Sequence, residues 1–555
     1  MIIEKNAEIP MSDGGLLRAN VYRPEAPGRY PVVMAFGIYG KDVHFEDAYN
    51  PQWKNLRVLY PELCSNGSTG RHLRWEITDP ERWVPDGYTI IAVDARGSGQ
   101  SPGYLDIYSP RETRDYYECI EWAGVQPWSN GKVGLLGISY LAVKQWQVAA
   151  LRPPHLAAIV PWEGASDCYR DSTRQGGIWA NSFRKAWWPR QALVNQHGNG
   201  ATTHRDRDTD QATTGEPLSP ALLDGNRADS PAESARRVLD DAWFRDRSAR
   251  LDRIEVPLLS AANIGGPGNH LRGNVEGFLN AGSREKWLFG HIGTHYESFY
   301  LPRYVALQKR FFDHYLKGLD NGWEKEPPVQ MAIRHVDGSA TLHRDTAWPL
   351  PATQWTPYHL DAAAKALSVS PVAAESSLTY EGLGEGVDFV LPAFTEATTF
   401  AGPAALRLWV SSSTADMDVF VVLRAFDPTG NEAIFTGAHE RVRVAMGWLR
   451  ASHRKQDAAK SRAWRPYHTH DELQPLTPGE VYPLDVEIWP TTIVYPAGWR
   501  LVLTVRGCDL EVVQPGRMLH DDPVDRDPAV FGGHNTLHTG GRYGACLLMP
   551  LLPAP

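Results

Sequence analysis

Lys132-Val-Gly-Leu-Leu136 runs directly into Gly137-Ile-Ser-Tyr-Leu-Ala142, and the stretch that follows to Leu151 keeps helical spacing. An apolar strand that turns through Gly-x-Ser into a helix is the pattern of a nucleophile elbow, in which a strained turn lifts the serine hydroxyl above a sheet. So sharp a turn needs small neighbours. Gly137 meets that need two residues before Ser139; two residues after it, where a second glycine is usual, stands Leu141, with Ala142 next. G-x-S alone recurs by chance, and its position between strand and helix makes it specific. A helix N-cap is the plainer reading of Ser139.

Working outward, Leu17–Tyr22, Pro31–Phe36 and Tyr88–Asp94 read as strands, and Arg111–Gly124 carries Tyr116, Cys119, Ile120 and Ala123 at helical spacing. This βαβα rhythm predicts an α/β fold: a mostly parallel sheet with helices on both faces. From Pro161 to about Arg250 the rhythm stops, with helical pieces at Ile178–Trp188 and Ala232–Trp243, which suggests a helical cap inserted over the sheet. Val256–Asn263 and Lys286–Gly290 resume the strands, and helix Arg303–Leu316 closes the unit. After the charged linker Asp320–Pro328 come short alternating strands beginning with Val329–His335, the signature of a β-sandwich, a jelly roll in the first instance. The expected division is an α/β-hydrolase core over 1–163 and 251–320, a cap over 164–250 and an all-β domain over 325–555.

A serine hydroxyl needs a base, and in this fold the order is serine, acid, histidine. Lys286-Trp-Leu-Phe-Gly-His-Ile-Gly-Thr-His295 places two histidines just beyond a strand; His295 is the expected base and His291 the alternative. The acid is usually borne after the preceding strand, yet the loop Ile264-Gly-Gly-Pro-Gly-Asn-His270 has no carboxylate. Glu163, ending Ala157-Ala-Ile-Val-Pro-Trp-Glu163 on the neighbouring strand, is the expected acid, with Asp167 and Glu276 as alternatives. The oxyanion donors expected are the Tyr140 backbone N–H and, from the loop after Pro31–Phe36, the Tyr39 hydroxyl or a backbone N–H. Trp162, Trp179, Trp187 and Trp188 are candidates for an aromatic wall around the substrate, or for cap core. Asp94-Ala-Arg-Gly-Ser-Gly-Gln-Ser lacks the lysine of a phosphate loop and reads as a structural turn. His468-Thr-His470 and His520-Asp-Asp522 lack an obvious third ligand, so no metal is expected.

The net charge of −9 leaves no basic surplus for nucleic acid. There are five cysteines without a CxxC pair, which suits a reducing compartment, and there is neither a leader-like N-terminus nor an apolar run of membrane length. The expectation is a cytoplasmic protein with no membrane partner.

Taken together, Ile9-Pro-Met-Ser-Asp-Gly14, Ala19-Asn-Val-Tyr-Arg-Pro24, the Asp94 turn, the Gly137 elbow and Asn535-Thr-Leu-His-Thr-Gly-Gly541 resemble the CocE/NonD hydrolases, the family of X-prolyl dipeptidyl peptidases and cocaine esterase. The resemblance implies an acyl-enzyme mechanism without a cofactor and a jelly roll packed near the active site. It also implies Ser139 as nucleophile, His295 as base, and Tyr39 and Tyr140 as oxyanion donors; some members self-associate, so a homodimer is compatible. The pattern departs at the acid, where Gly266 stands at the usual aspartate position. The implied activity is hydrolysis of small-molecule esters or amides. The alternatives are an X-prolyl dipeptidyl aminopeptidase, an acyltransferase using the same triad, or an inactive carbohydrate-binding module.

Overall fold

The computed structural model describes residues 1–438, 441–510 and 520–553. The strands of its main sheet are β1 (Ile2–Pro10), β2 (Leu16–Arg23), β3 (Tyr30–Gly37), β4 (Thr89–Asp94), β5 (Ser129–Ile138), β6 (Leu156–Trp162), β7 (Leu258–Asn263), β8 (Lys286–His291), β9 (Val329–Arg334) and β10 (Ala340–Asp345). They form one sheet in the order β1-β2-β4-β3-β5-β6-β7-β8-β9-β10. The run from β4 through β3 and β5 to β9 is parallel, and β1–β2, β2–β4 and β9–β10 are antiparallel. Strands β4 and β7 are buried along their whole length, as strands covered on both faces must be.

The covering helices include α1 (Pro110–Gly124), α2 (Tyr140–Ala149), α3 (Leu271–Asn280) and α4 (Pro302–Lys317). Helix α1 begins with Ser109 accepting from the Glu112 N–H and Pro110 in the first turn, and it buries Tyr116, Cys119, Ile120 and Ala123. Helix α4 lies so close to β5 that a Cβ on Gly134 would sit 2.6 Å from Phe312. The Asp94 turn is structural: Asp94 is buried and accepts from the Lys41 N–H at 2.7 Å and the Gln100 N–H at 2.9 Å.

Two features differ from the sequence reading. Val329–Arg334 does not open the β-rich part; as β9 it pairs with β8 and extends the hydrolase sheet. Its alternation of residues fits either sheet, and only the crossover through α4 decides which one it joins. The all-β domain is present as expected: the eleven strands from Gln354 to Leu552 form one sheet, and its strand Thr398–Ser412 also pairs with Cys546–Leu552, which closes it as a barrel. In the cap, the two expected helical pieces are shorter: a hairpin (Arg174–Gln175 with Ile178–Trp179) precedes helix Asn181–Trp187, and Ala232–Trp243 breaks into Ser230–Ala235 and Ala242–Asp246.

The barrel touches both core and cap. Its Ala438 N–H donates to the Gly265 carbonyl at 2.9 Å, and the backbones approach so closely that a Cβ on Gly265 would lie 2.7 Å from the Gly437 Cα. Asp525 of the barrel meets cap Arg174 at 2.7 Å and barrel Arg450 at 2.9 Å, and Arg450 also pairs with Asp418 at 2.8 Å. Burial alone would raise the Asp525 pKa, but Arg450 and Arg174 outweigh it and bring it to about 2. A carboxylate depressed in this way contributes stability above about pH 4, and that contribution is lost as the pH falls towards 2. Asp525→Asn leaves the fully buried Arg174 without its counter-charge and is expected to cost about 3–5 kcal/mol, seen as a lower thermal unfolding midpoint at pH 7 that converges with wild type near pH 2.

Candidate active site

Ser139 lies between the end of β5 and the start of α2, with φ 57° and ψ −115°. Its N–H is shared by the Trp162 and Glu163 carbonyls, each at 3.1 Å, which ties the elbow to the end of β6. The turn accommodates Leu141 where a glycine is usual because Gly137 and Gly37 have no side chains: a Cβ on either would sit 2.6 Å from a Leu141 side-chain carbon. Glu76 and Glu163 also have positive φ, 63° and 49°. Such backbone costs about 1–3 kcal/mol per residue and gathers at functional sites.

The acid expected at the end of β6 faces the histidine expected after β8: Glu163 Oε2 lies 2.7 Å from His295 Nδ1. Glu163 Oε1 accepts from Asn263 Nδ2 at 3.2 Å, and Asn263 also donates to the Gly293 carbonyl at 3.0 Å. The strand that usually bears the acid in this fold thus ends here in an amide that holds Glu163. On its other side His295 Nε2 meets Glu76 Oε1 at 3.0 Å. The Ser139 hydroxyl is 3.0 Å from Nε2 of His270, not of His295, and the two imidazoles stack with centroids 5.0 Å apart and an interplanar angle of 11°. Sequence reasoning expected His295 at the serine and assigned nothing to His270, Glu76 or Asn263.

Burial disfavours the charged form of His295, but the Glu163 charge and hydrogen bond, with those of Glu76, outweigh it and raise its pKa to about 10. Burial pushes the Glu76 carboxyl up to about 7, opposed by its bond to His295 and reinforced by the Glu163 charge. His295 therefore shares protons with two carboxylates in a cluster that favours positive charge on an imidazole.

Tyr39 is buried, and its oxygen accepts from Trp187 Nε1 at 3.4 Å. Burial first, and then the Glu76 charge, hold its pKa well above the ordinary value, so the hydroxyl stays a donor. The Tyr140 N–H is the first of α2 and has no intrahelical acceptor. The Tyr140 side chain turns away to donate to Glu112.

The alternative acids are engaged elsewhere. Asp167 pairs with Arg170 at 2.9 Å, and Glu276 pairs with Arg465. His291 is buried beneath the site and stacks on Trp162 at 5.3 Å. The cavity above Ser139 has a volume of about 30 Å³, and Tyr39, Tyr108, Phe183, Trp187 and His270 are among its walls. Of the four candidate tryptophans Trp187 lines it. Trp162 lies in the core with Nε1 donating to Ser298 at 3.1 Å, while Trp179 and Trp188 are buried outside the lining. Strand alternation explains Trp162: it points below the sheet end that presents Glu163 above. Glu163, His270 and His295 have donor atoms within 4.8 Å of one another, the one cluster with metal-ligand spacing among the described residues.

With β5 central in the sheet and the elbow at its C-terminal end, the fold and the site define a serine hydrolase of the α/β-hydrolase class. Comparison with known proteins narrows this. The family described as X-Pro dipeptidyl-peptidase (S15 family) matches residues 13–297, and the X-Pro dipeptidyl-peptidase C-terminal non-catalytic domain matches 321–547. The chain belongs to this family, among its CocE/NonD hydrolases. A crystal structure of a CocE/NonD family hydrolase from Staphylococcus aureus superimposes with a TM-score of 0.87 at 34% identity, covering 100% of this chain and 94% of that one. Cocaine esterase of Rhodococcus sp. (strain MB1 Bresler) is 25% identical, over 99% of this chain and 98% of its own length. A protein named putative serine esterase from Mycobacterium tuberculosis (strain CDC 1551 / Oshkosh) is 25% identical over 90% of each.

Proposed function

We propose that the protein is an esterase of small molecules in which Ser139 attacks the acyl carbon, His295 moves the proton and Glu163 holds the imidazole. Tyr39 and the Tyr140 N–H would receive the oxyanion. The observation that carries this reading is the 2.7 Å contact between Glu163 and His295 Nδ1, which leaves Nε2 as the nitrogen to serve the nucleophile. With its pKa at about 10 the ring holds a proton on Nε2, so the step requires Nε2 to pass that proton to Glu76, whose carboxyl is pushed up to about 7, and then to exchange Glu76 for Ser139, in keeping with catalytic hydrogen bonds that tighten only around substrate. Ester cleavage is favoured over removal of N-terminal dipeptides because, among the described residues, the cavity wall has no carboxylate to receive a peptide ammonium. The cap aspartates that would serve are engaged: Asp167 by Arg170, and Asp171 by Arg272 at 2.9 Å. Cytoplasmic residence fits five cysteines that are all unpaired. None of the described helices is long and apolar enough to cross a membrane.

The 3.0 Å contact of the serine hydroxyl with His270 supports a second reading, in which His270 is the base and the cluster of His295, Glu163 and Glu76 stabilises the imidazolium it becomes. The two readings separate in the rate of Ser139 labelling by a fluorophosphonate, followed by peptide mapping. His295→Gln should slow labelling about 10³-fold or more while His270→Gln slows it less than about 30-fold. The reverse order would move the base to His270, and failure of the wild-type protein to label would remove the serine-hydrolase mechanism.

A further inference from the structure

The cavity that holds Ser139 has a charge that the reaction described above does not use. Arg184, on helix Asn181–Trp187, lines it and is only 7% exposed. One Nη donates to Thr173 at 2.8 Å and, weakly, to Ser172 at 3.4 Å, while its Nε has no hydrogen-bond partner. No carboxylate forms an ion pair with Arg184 among the described residues, whereas Arg170, Arg174, Arg272 and Arg450 each meet an aspartate; Arg74 and Arg334 also lack a carboxylate there but are held by backbone carbonyls, Arg74 by Lys41, Arg71 and Leu73 and Arg334 by Thr492 and Val444. A guanidinium taken out of water without a counter-charge is costly, and proteins retain one where a ligand supplies the missing anion. Arg247, 8% exposed, lines the same cavity; it is paired with Asp106 at 2.8 Å and stacked on Trp243, and it adds positive potential. Ser166, Ser172 and Asn269 contribute further polar groups to the wall.

We infer that the substrate carries a carboxylate that Arg184 binds while Ser139 attacks an ester or amide carbonyl in the same cavity. This rests on the serine-hydrolase reading and names its substrate class: a half-ester or half-amide of a dicarboxylic acid, or an ester whose leaving alcohol bears the acid. The guanidinium fork suits a carboxylate in particular, because it can offer two parallel N–H donors to its two oxygens.

The test compares kcat/KM for three kinds of ester of matched length: mono-4-nitrophenyl succinate, glutarate and adipate, the neutral 4-nitrophenyl butyrate, valerate and hexanoate, and 4-nitrophenyl 5-aminopentanoate as the cationic member. The pair 4-acetoxybenzoate and phenyl acetate tests an anion on the leaving half. Wild-type protein should favour an anionic member over its neutral counterpart by at least about tenfold, on one of the two arms, and should disfavour the cation. Arg184→Gln should erase that preference through KM, about 10- to 100-fold, while leaving the neutral esters within about threefold, and Arg184→Lys should restore part of it. Equal use of neutral and anionic esters by the wild type, or an equal fall for both in Arg184→Gln, would overturn the inference and return Arg184 to bracing the cap through Thr173. Fluorophosphonate labelling of Ser139 separates that failure from failure of the mechanism. A protein that labels but shows no preference for an anion remains a serine hydrolase, whereas one that neither labels nor cleaves any ester overturns both.

Discussion

Ser139→Ala is expected to lower kcat/KM on a neutral 4-nitrophenyl ester by about 10⁵–10⁶, or roughly 7–8 kcal/mol of transition-state stabilisation. The residual rate would come from the cavity and the oxyanion donors, which do not depend on the hydroxyl. The loss should not come from unfolding. The backbone at position 139 is held by hydrogen bonds of its N–H to the Trp162 and Glu163 carbonyls, and these survive truncation of the side chain. The same position offers a second readout. With φ at 57°, a residue bearing a Cβ is strained there and glycine is not. Ser139→Gly should therefore be as inactive as Ser139→Ala but more stable by about 1 kcal/mol, which would show folding energy committed to raising the hydroxyl. An alanine variant that keeps more than about 1% of wild-type activity would place the nucleophile elsewhere.

Glu163→Gln is expected to lower kcat by about 10³–10⁴ with little change in fold. The amide can still accept from Asn263, but it then turns its NH₂ towards His295 Nδ1, where the native carboxylate accepts. The imidazole must give up its Nδ1 proton or the contact, and either way Nε2 is left in the wrong state to take a proton from the serine. The charge effect is separable from the geometric one. Glu163 is the leading influence that raises the His295 pKa to about 10, so the variant's imidazole should titrate closer to the ordinary histidine range. NMR titration of His295 in wild type and variant reads this directly. A variant with full activity, or with an unchanged His295 titration, would return the acid role to another carboxylate, with Glu76 the first to test, since it holds the opposite nitrogen of the same ring.

Much of this site was legible before any coordinates, and the reason is local. An elbow announces itself because strand, Gly-x-Ser and helix are contiguous, and the strain of the turn restricts which residues can stand there. Glu163 and His295 were legible for a related reason: each directly follows or closely trails an apolar strand, and in a parallel sheet the strand ends gather along one edge. A missing carboxylate in 264–270 was enough to point to the neighbouring strand.

Glu76, Asn263, His270 and Arg184 were not legible, because nothing in their neighbourhoods marks them. Glu76 precedes no strand, His270 starts a helix, and Arg184 is one of many arginines in the cap. They meet only through pairings distant in sequence. The register that sets Trp162 opposite Ala261, and Asn263 opposite His291, brings the end of β6 beside the ends of β7 and β8. The closed barrel and the placement of Val329–Arg334 belong to the same group, since an alternating strand carries no record of which neighbour it will pair with. The amino-acid sequence alone determined the class of fold and pointed to the proposed nucleophile and to the two strand ends at which Glu163 and His295 meet, because each is encoded within a dozen contiguous residues. Which imidazole the serine touches, which second carboxylate grips the other, and which arginine lines the cavity without an ion pair among the described residues were decided only by the tertiary structure, where strand register and cap packing set distances that no local pattern contains.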